Sequence, residues 1–219
     1  MKIGIIGQGF VGNAVYQKFK NYFDILTYDI DETKCNSDFH YIKKGCDTIF
    51  LCLPTPMYED GTCNTSIVEI MLSQINGYGP NKSYDIVIKS TIPPGTTEEW
   101  NKRFEKLNIV FNPEFLTEAN AVSDYENQNR IILGGPRPAT TRLKRIFTKV
   151  FPKAHIIKTG SRHAEMVKYV TNAFLATKVS FANEMYQICQ ALDIDYDKVI
   201  EYAQHDDRLG TSHLAVPGP

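Results

Sequence analysis

The sequence has no excess of either charge and no long apolar run. Its 219 residues include 24 lysines and arginines against 25 aspartates and glutamates, so no net field is available to hold nucleic acid or anionic lipid. A basic cluster between residues 142 and 149 has the spacing of a solvated helix face. The apolar run near the N-terminus extends only from Ile3 to Ile6, far short of a signal peptide or a membrane span. These absences argue against nucleic-acid and membrane partners and predict a cytoplasmic protein.

Paired cysteines are also missing from the sequence. The five cysteines are scattered, and no two have the spacing of a zinc site or of a redox CxxC motif. We therefore interpret them as reduced thiols and predict no metal site. Cys46 and Cys52 lie in or beside an apolar run, where cysteine behaves as a small hydrophobic residue.

What the sequence does contain is an alternation of short aliphatic runs with helical patterns. This alternation is typical of a parallel sheet wound with helices. The predicted fold class is α/β, with a doubly wound sheet that forms a first domain over residues 1–160. The predicted strands are 2–6, 25–29, 48–53, 85–90, 108–111, 130–133 and 154–158, and the predicted helices are 10–21, 66–76, 96–105 and 140–151.

The pattern changes at residue 161. Apolar residues then recur at steps of three and four for about thirty residues, which predicts one long helix. Such length is expected where a helix joins two domains or packs against a partner subunit. With a second helix predicted over 196–205, residues 161–219 are expected to form a connecting helix and the start of a small all-α central domain. The final Pro-Gly-Pro is typical of a loop leading to further structure, so we expect a truncated chain.

The string at residues 7–12 has the dinucleotide-binding spacing GxGxxG, between a predicted strand and a predicted helix. Gly7 permits the tight turn, Gly9 lets backbone approach a pyrophosphate, and Gly12 lets the helix pack closely on the strand. Asp29 ends the next predicted strand, 22 residues after Gly7. It is placed to accept hydrogen bonds from ribose hydroxyls and to repel the extra phosphate of NADP, so NAD is the predicted cofactor. Residues 1–160 are therefore predicted to form a Rossmann-type NAD-binding domain. The alternative is a simple tight turn in which Asp29 caps a loop.

Polar residues also follow three other predicted strands, in segments 53–56, 89–95 and 112–118, where open α/β sheets place their ligands. On the predicted long helix, Lys168 and Asn172 are one turn apart on the same face. With carboxylates at Glu114 and Glu118, they can polarise or deprotonate a hydroxyl while hydride leaves its carbon. Each residue alone has a simpler interpretation, since helix lysines are usually solvated and the two glutamates can cap a helix start.

Together these segments resemble the UDP-glucose/GDP-mannose 6-dehydrogenase family over essentially the whole chain. The resemblance implies oxidation of the C6 alcohol of a nucleotide sugar, such as UDP-glucose, to a carboxylate with two NAD. The matching strings are residues 7–12, Pro54-Thr55-Pro56, Ser90-Thr91-Ile92-Pro93-Pro94-Gly95, Asn112-Pro113-Glu114-Phe115-Leu116-Thr117-Glu118, 172–178 and Asp207-Arg208-Leu209-Gly210.

The resemblance implies a role for individual residues in catalysis. Thr91 would help to bind a catalytic water. Glu114 and Glu118 would act in acid/base steps and hold the substrate, while Lys168 and Asn172 would stabilise the oxyanion at C6.

The resemblance also implies binding residues. Phe115 and Leu116 would contact the sugar nucleotide through backbone groups. Arg208 would reach the substrate of the neighbouring subunit, in a homodimer built on the long helix. Lys34 could lie over the adenine, although a solvated loop lysine is an equal alternative. The predicted cofactor contacts are Gly7, Gly9, Phe10, Val11, Gly12, Asp29, Lys34, Leu53, Pro54, Thr55, Ser90, Thr91 and Glu118.

In this family a glycine-rich motif beyond the Arg208 match carries a nucleophilic cysteine, which forms covalent intermediates with the aldehyde. The sequence stops before that motif and before the family's C-terminal nucleotide-binding domain. We therefore expect this chain to bind NAD without completing the four-electron oxidation. Two alternatives remain open. One is a β-hydroxyacid dehydrogenase-like enzyme, which shares the Lys-x-x-x-Asn pair and needs no cysteine. The other is a non-catalytic NAD-binding or dimerisation module.

Overall fold

A computed structural model describes residues 1–77 and 82–218, and Pro219, the last residue of the predicted second domain, lies outside the described residues. The strands are β1 Lys2–Ile6, β2 Asp24–Tyr28, β3 Thr48–Leu51, β4 Tyr84–Ile88, β5 Leu107–Phe111, β6 Arg130–Gly134 and β7 His155–Thr159. They form one sheet in the order β2-β1-β3-β4-β5-β6-β7. The chain therefore winds outward in both directions from β1, which confirms the doubly wound fold.

Eight α-helices accompany the strands in the described residues. Two of them, of seven and six residues, were not predicted, because fewer than two turns show no readable helical periodicity. No helix in the described ranges combines the length and hydropathy needed to cross a membrane. The helices are α1 Phe10–Phe19, α2 Phe39–Gly45, α3 Ser66–Asn76, α4 Thr96–Arg103, α5 Ala121–Glu126, α6 Arg137–Val150, α7 Ser161–Ala191 and α8 Tyr196–Ala203.

Helices cover both faces of the sheet, because its central strands are apolar on both sides. Every residue of β3 and β4 is buried. Along β3, Phe50 packs in one apolar cluster while its neighbours Ile49 and Leu51 pack in another, as the alternation of a strand requires. On the first face, Phe19 of α1 meets Phe50 edge-on at 5.2 Å between ring centroids. The sheet is thus a rigid platform for the loops at its carboxyl edge.

The sheet is not parallel throughout, which corrects the sequence prediction. Strands β5 and β6 pair antiparallel, through Phe111 and Gly134, whereas the other neighbouring pairs are parallel. The connection over residues 112–129 begins and ends at the same edge of the sheet, so it needs no crossover helix. Its helix α5 packs beside α1 instead. Arg130, the first residue of β6, therefore lies at the edge where β5 ends.

The basic cluster between residues 142 and 149 is not wholly solvated, contrary to the prediction. Arg142 on α6 donates two hydrogen bonds to the carboxylate of Asp85 on β4, one of them 2.6 Å long. The side chain of Asp85 is only 9 % exposed. This bidentate pair ties α6 to the amino end of β4.

The outer edge of β2 is occupied by a side chain. The amide oxygen of Asn36 accepts a hydrogen bond from the backbone nitrogen of Thr27 at 2.7 Å, and its amide nitrogen donates to the carbonyl of Ile25 at 2.9 Å. The backbone nitrogen of Asn36 donates to the hydroxyl of Thr27 at 3.0 Å. Asn36 thus makes the bonds that a further strand would make with β2.

The chain forms two compact units, Met1–Lys168 and one that begins at Tyr169. The boundary falls inside α7, eight residues beyond residue 160, where the first domain was predicted to end. In the second unit, α7 and α8 share a small core of Ala182, Cys189, Tyr196 and Leu214. The hydroxyl of Tyr196 donates to the carbonyl of Leu214 at 2.7 Å, which holds the segment after α8 onto that core.

Candidate functional site

The three glycines of the GxGxxG turn are required for different reasons. Gly7 has a φ of +90°, and a Cβ there would lie 2.3 Å from the carbonyl oxygen of Cys52. A Cβ on Gly12 would lie 1.8 Å from the carbonyl oxygen of Gly7. A Cβ on Gly9, by contrast, would meet nothing within 4 Å. Packing explains Gly7 and Gly12, whereas Gly9 leaves open the approach to the N-terminus of α1, where a pyrophosphate is predicted to bind.

The carboxylate of Asp29 is fixed directly after β2. One oxygen accepts from the backbone nitrogen of Gln8 at 2.5 Å and the other from that of Asp31 at 2.9 Å. The thiol of Cys35 accepts from the Asp29 nitrogen at 3.0 Å and donates to its carbonyl at 3.2 Å. Each carboxylate oxygen keeps a free lone pair. Asp29 is therefore ready to accept hydrogen bonds from a ribose, as the fingerprint predicts.

A cleft of about 520 Å³ runs along this turn. Its lining includes Gln8, Gly9, Phe10 and Lys34. The ammonium of Lys34 lies 3.2 Å from the carboxylate of Asp31, so this lysine borders the predicted cofactor site as part of an exposed ion pair. Phe10 is half exposed at the start of α1. Three of the residues predicted to bind cofactor, Gly9, Phe10 and Lys34, thus line one opening.

The loops after β3 and β4 are hydrogen-bonded to each other. The hydroxyl of Ser90 accepts from the nitrogen of Leu53 at 3.1 Å and donates to its carbonyl at 2.6 Å. The hydroxyl of Thr55 donates to the carbonyl of Thr91 at 2.8 Å. The structure therefore brings together Leu53, Thr55, Ser90 and Thr91 as predicted, with exposed Pro54 between them. The hydroxyls of Ser90 and Thr55 hold the loops in place.

A buried ion pair that sequence reasoning missed lies beneath these loops. The ammonium of Lys89 is 2.7 Å from a carboxylate oxygen of Glu114, as an ion pair rather than a well-aligned hydrogen bond. It also donates to the side-chain oxygen of Asn112 at 2.8 Å. The Asn112 amide donates in turn to the carbonyl of Ile132 at 2.8 Å. The available signal was a lysine directly after the apolar run of residues 86–88, since a buried charge needs a partner.

Glu114 points its carboxylate inward and its carbonyl toward α7. The second carboxylate oxygen accepts from the nitrogen of Phe115 at 2.9 Å, and the carbonyl accepts a hydrogen bond from the ammonium of Lys168. Burial lowers the pKa of Lys168, and the nearby charge of Lys89 lowers it further, while Glu114 acts in the opposite direction. An ammonium has three donors, so Lys168 retains donors for a substrate oxygen.

The segment after Glu114 presents an aromatic ring between two cations. The guanidinium of Arg130 lies 4.3 Å from the ring centroid of Phe115, and the ammonium of Lys168 lies 5.5 Å from it. Leu116 is half-buried against the core, and Glu118 is exposed on the same segment. Glu118 is thus the predicted acid/base carboxylate that faces solvent.

A second missed residue, Glu165, anchors the first turns of α7. Its carboxylate accepts from the backbone nitrogens of Gly95 at 2.6 Å and Thr97 at 2.9 Å, and the residue is fully buried. Gly95 has a φ of +102°, which favours glycine. Glu165 lies one helical turn before Lys168, so it joins the loop after β4 to the helix that carries that lysine. Nothing in the sequence distinguishes Glu165 from a solvated helix glutamate.

Asn172 and Arg208 belong to the second unit. Asn172 is exposed on α7. The Arg208 guanidinium pairs with the carboxylate of Asp206 at 2.5 Å, and its side chain is largely exposed. Their predicted contacts with substrate stay predictions.

Comparison with known proteins shows that this chain matches one protein family. Residues 34–152 match the NAD binding domain of the UDP-glucose/GDP-mannose dehydrogenase family, and residues 162–219 match its central domain. The UDP-glucose 6-dehydrogenase AglM of Haloferax volcanii is 31 % identical over 99 % of this chain and 61 % of its own length. TuaD of Bacillus subtilis, another UDP-glucose 6-dehydrogenase, is 30 % identical over 97 % of this chain and 54 % of its own.

A solved structure shows the same fold. The UDP-glucose dehydrogenase of Pyrobaculum islandicum superposes with a TM-score of 0.85 at 26 % identity, covering 95 % of this chain and 57 % of that one. The chain thus spans little more than half of the length of these relatives. The matched NAD binding domain identifies the cofactor as NAD, and the chain belongs to the UDP-glucose/GDP-mannose dehydrogenase family.

Proposed function

We propose that this chain carries the NAD-binding and hydride-removing part of a nucleotide-sugar 6-dehydrogenase, acting on the C6 hydroxyl of a UDP-glucose-like substrate. The observation that carries the proposal is the position of Lys168. Its ammonium is held by the carbonyl of Glu114 at the end of the sheet where the NAD-binding loops lie. The family match and the names of the relatives support a nucleotide sugar as the substrate class.

Each residue of the site has a separate role in one oxidation step. When bound, NAD accepts a hydride from the carbon that carries the hydroxyl. Asp29 holds the adenosine ribose, and the open space at Gly9 admits the pyrophosphate. Lys168 donates to the substrate oxygen and stabilises the negative charge that develops there. The exposed carboxylate of Glu118 is available to take the hydroxyl proton.

Two cysteines near the sheet, Cys46 and Cys52, are poorly suited to the covalent steps of a full oxidation to the acid. Burial raises the pKa of Cys46 to about 11 and that of Cys52 to about 12. The thiolate is the nucleophile, so a raised pKa disfavours the reactive form of both side chains at neutral pH. We assign to the residues of the candidate site the removal of one hydride.

We also propose that the chain self-associates through its second unit. Helices α7 and α8 expose large apolar side chains, a pattern that marks interaction surfaces. In Phe174 and Tyr202, for example, more than 60 % of the surface is accessible. A homodimer built on this surface is expected, and sedimentation velocity of the 219-residue chain measures it. The predicted cytoplasmic location stays a prediction. The exposed apolar residues include Val170, Phe174, Phe181, Ile188, Leu192 and Tyr202.

Calorimetric titration tests the cofactor assignment. NAD is expected to bind more tightly than NADP, and Asp29→Ala is expected to weaken NAD at least about tenfold, since it removes the acceptors for the ribose hydroxyls. Asp24→Ala is the matched control, because Asp24 is an exposed carboxylate at the opposite end of β2. Equal loss of NAD affinity in both variants would contradict the assignment.

A single-turnover assay tests the hydride step. With UDP-glucose and NAD, the absorbance of NADH is followed in the wild type and in Lys168→Met, which is expected to react roughly a hundredfold more slowly because it loses the donor to the oxyanion. GDP-mannose and a 3-hydroxy acid serve as alternative substrates. NADH formed with the hydroxy acid alone would favour the β-hydroxyacid dehydrogenase interpretation.

A further inference from the structure

The buried ammonium of Lys89 has no part in the hydride step described above. Its side chain is 1 % exposed and that of Glu114 is 10 % exposed. Taking two charges out of water is costly, and replacing such a pair by apolar residues is often neutral for stability. Stability alone therefore does not account for a charged pair directly beneath the candidate site.

The position of this ammonium is fixed from three strands. Lys89 follows β4 and hydrogen-bonds to Asn112, which follows β5. Asn112 is tied in turn to the carbonyl of Ile132 on β6. The ring of Tyr125 lies 5.4 Å from the ammonium and covers it on another side. Lys89 therefore presents a fixed positive charge to Glu114.

We propose that Lys89 is a positioning residue: by holding the carboxylate of Glu114 inward, it turns the carbonyl oxygen of Glu114 toward the ammonium of Lys168. Both oxygens of that carboxylate are engaged, one by Lys89 and one by the nitrogen of Phe115. This gives Glu114 a positioning role in addition to the acid/base role implied by the family resemblance. The meaning of Lys168 for catalysis rests on the proposed function, but its placement by Lys89 does not.

The charges around Lys168 give the proposal a measurable consequence. The groups that face it are Glu114 after β5, Lys89 after β4, and Arg130 of β6 across the ring of Phe115. Lys89 lowers the pKa of Lys168, whereas Glu114 raises it. Removing one or the other therefore shifts the proton affinity of Lys168 in opposite directions.

The experiment measures the acylation rate of Lys168 as a function of pH, by mass spectrometry of the peptide that contains it. It uses the 219-residue chain without NAD or sugar. The midpoint of the profile reports the proton affinity of Lys168, and the plateau reports how accessible its amine is. In Lys89→Met the midpoint is expected to move to higher pH, so that the rate below the midpoint falls roughly threefold or more. In Glu114→Gln it is expected to move to lower pH.

Two further variants separate positioning from a general loss of structure. Asp85→Asn breaks the other ion pair of β4, at the opposite end of that strand, and is expected to leave the midpoint unchanged. The double variant Lys89→Met/Glu114→Gln is expected to lie closer to the wild type than either single variant, and it supplies the readout if Lys89→Met does not fold.

The proposal is overturned if Glu114→Gln and the double variant both keep the wild-type midpoint, or if all variants shift it in the same direction. Because the assay contains neither cofactor nor substrate, either result leaves the proposed function standing. A failure of NAD to bind would in turn leave this result intact.

Discussion

The two sides of the candidate site differ in the groups that form them, which are mainly backbone groups on one side and buried side chains on the other. The cofactor side, between β1 and β2, is made of backbone: a glycine turn, the N-terminus of α1 and a carboxylate held by backbone nitrogens. The catalytic side, after β4 and β5, is made of buried side chains, with Lys89, Glu114 and Asn112 linked in one network. A region formed by closely packed backbone is disrupted when a side chain is added to one of its glycines. A region formed by hydrogen-bonded side chains is disrupted when one partner is removed and the other is left unpaired.

Gly12→Ala is the strongest test of the backbone side. The added Cβ would lie 1.8 Å from the carbonyl oxygen of Gly7, so α1 has to move away from β1. We expect a loss of ~3 kcal/mol or more in the free energy of unfolding, measured by urea denaturation. Gly45→Ala is the control, because the nearest atom to its Cβ is 3.8 Å away. A Gly12→Ala variant as stable as Gly45→Ala would show that the close packing of α1 on the glycine turn does not require glycine at position 12.

Glu165→Ala tests the side-chain region with a smaller expected effect. It leaves the nitrogens of Gly95 and Thr97 without their acceptor in a buried place, so we expect a loss of about 2 kcal/mol in the free energy of unfolding. Glu98→Ala removes an exposed ion pair with Arg162, 2.9 Å long, between the same two helices. That variant is expected to lose less than about 1 kcal/mol. Similar losses of unfolding free energy in both variants would show that the buried hydrogen bonds of Glu165 contribute no more to stability than the exposed ion pair of Glu98.

Gly9→Ala has the smallest expected effect on stability. Its Cβ meets nothing within 4 Å, so the free energy of unfolding should stay within about 0.5 kcal/mol of the wild type. The same methyl group occupies the approach of the pyrophosphate, and we expect NAD affinity to fall about tenfold, which calorimetry measures. Loss of stability without loss of affinity would mean that Gly9 serves packing, as Gly12 does.

The same division explains what could be predicted from the sequence. The fingerprint and Asp29 were predictable because a tight turn imposes its residue types locally. Helix α3 was predicted at its observed bounds for a similar reason, since three turns display a clear period. The direction of β6 was wrong because it depends on the path of residues 112–129, which no local pattern records. Lys89 and Glu165 were missed because their partners lie 25 and about 70 residues away.

The side chain of Asn36 has a consequence for how copies of this chain associate. Free strand edges invite another chain to add a strand, a common route to extended sheets and aggregates. Here the side-chain amide of Asn36 occupies the nitrogen of Thr27 and the carbonyl of Ile25 on the outer edge of β2, so these two groups are not available to a neighbouring strand. Lateral addition of a strand is therefore disfavoured at the β2 edge of the sheet.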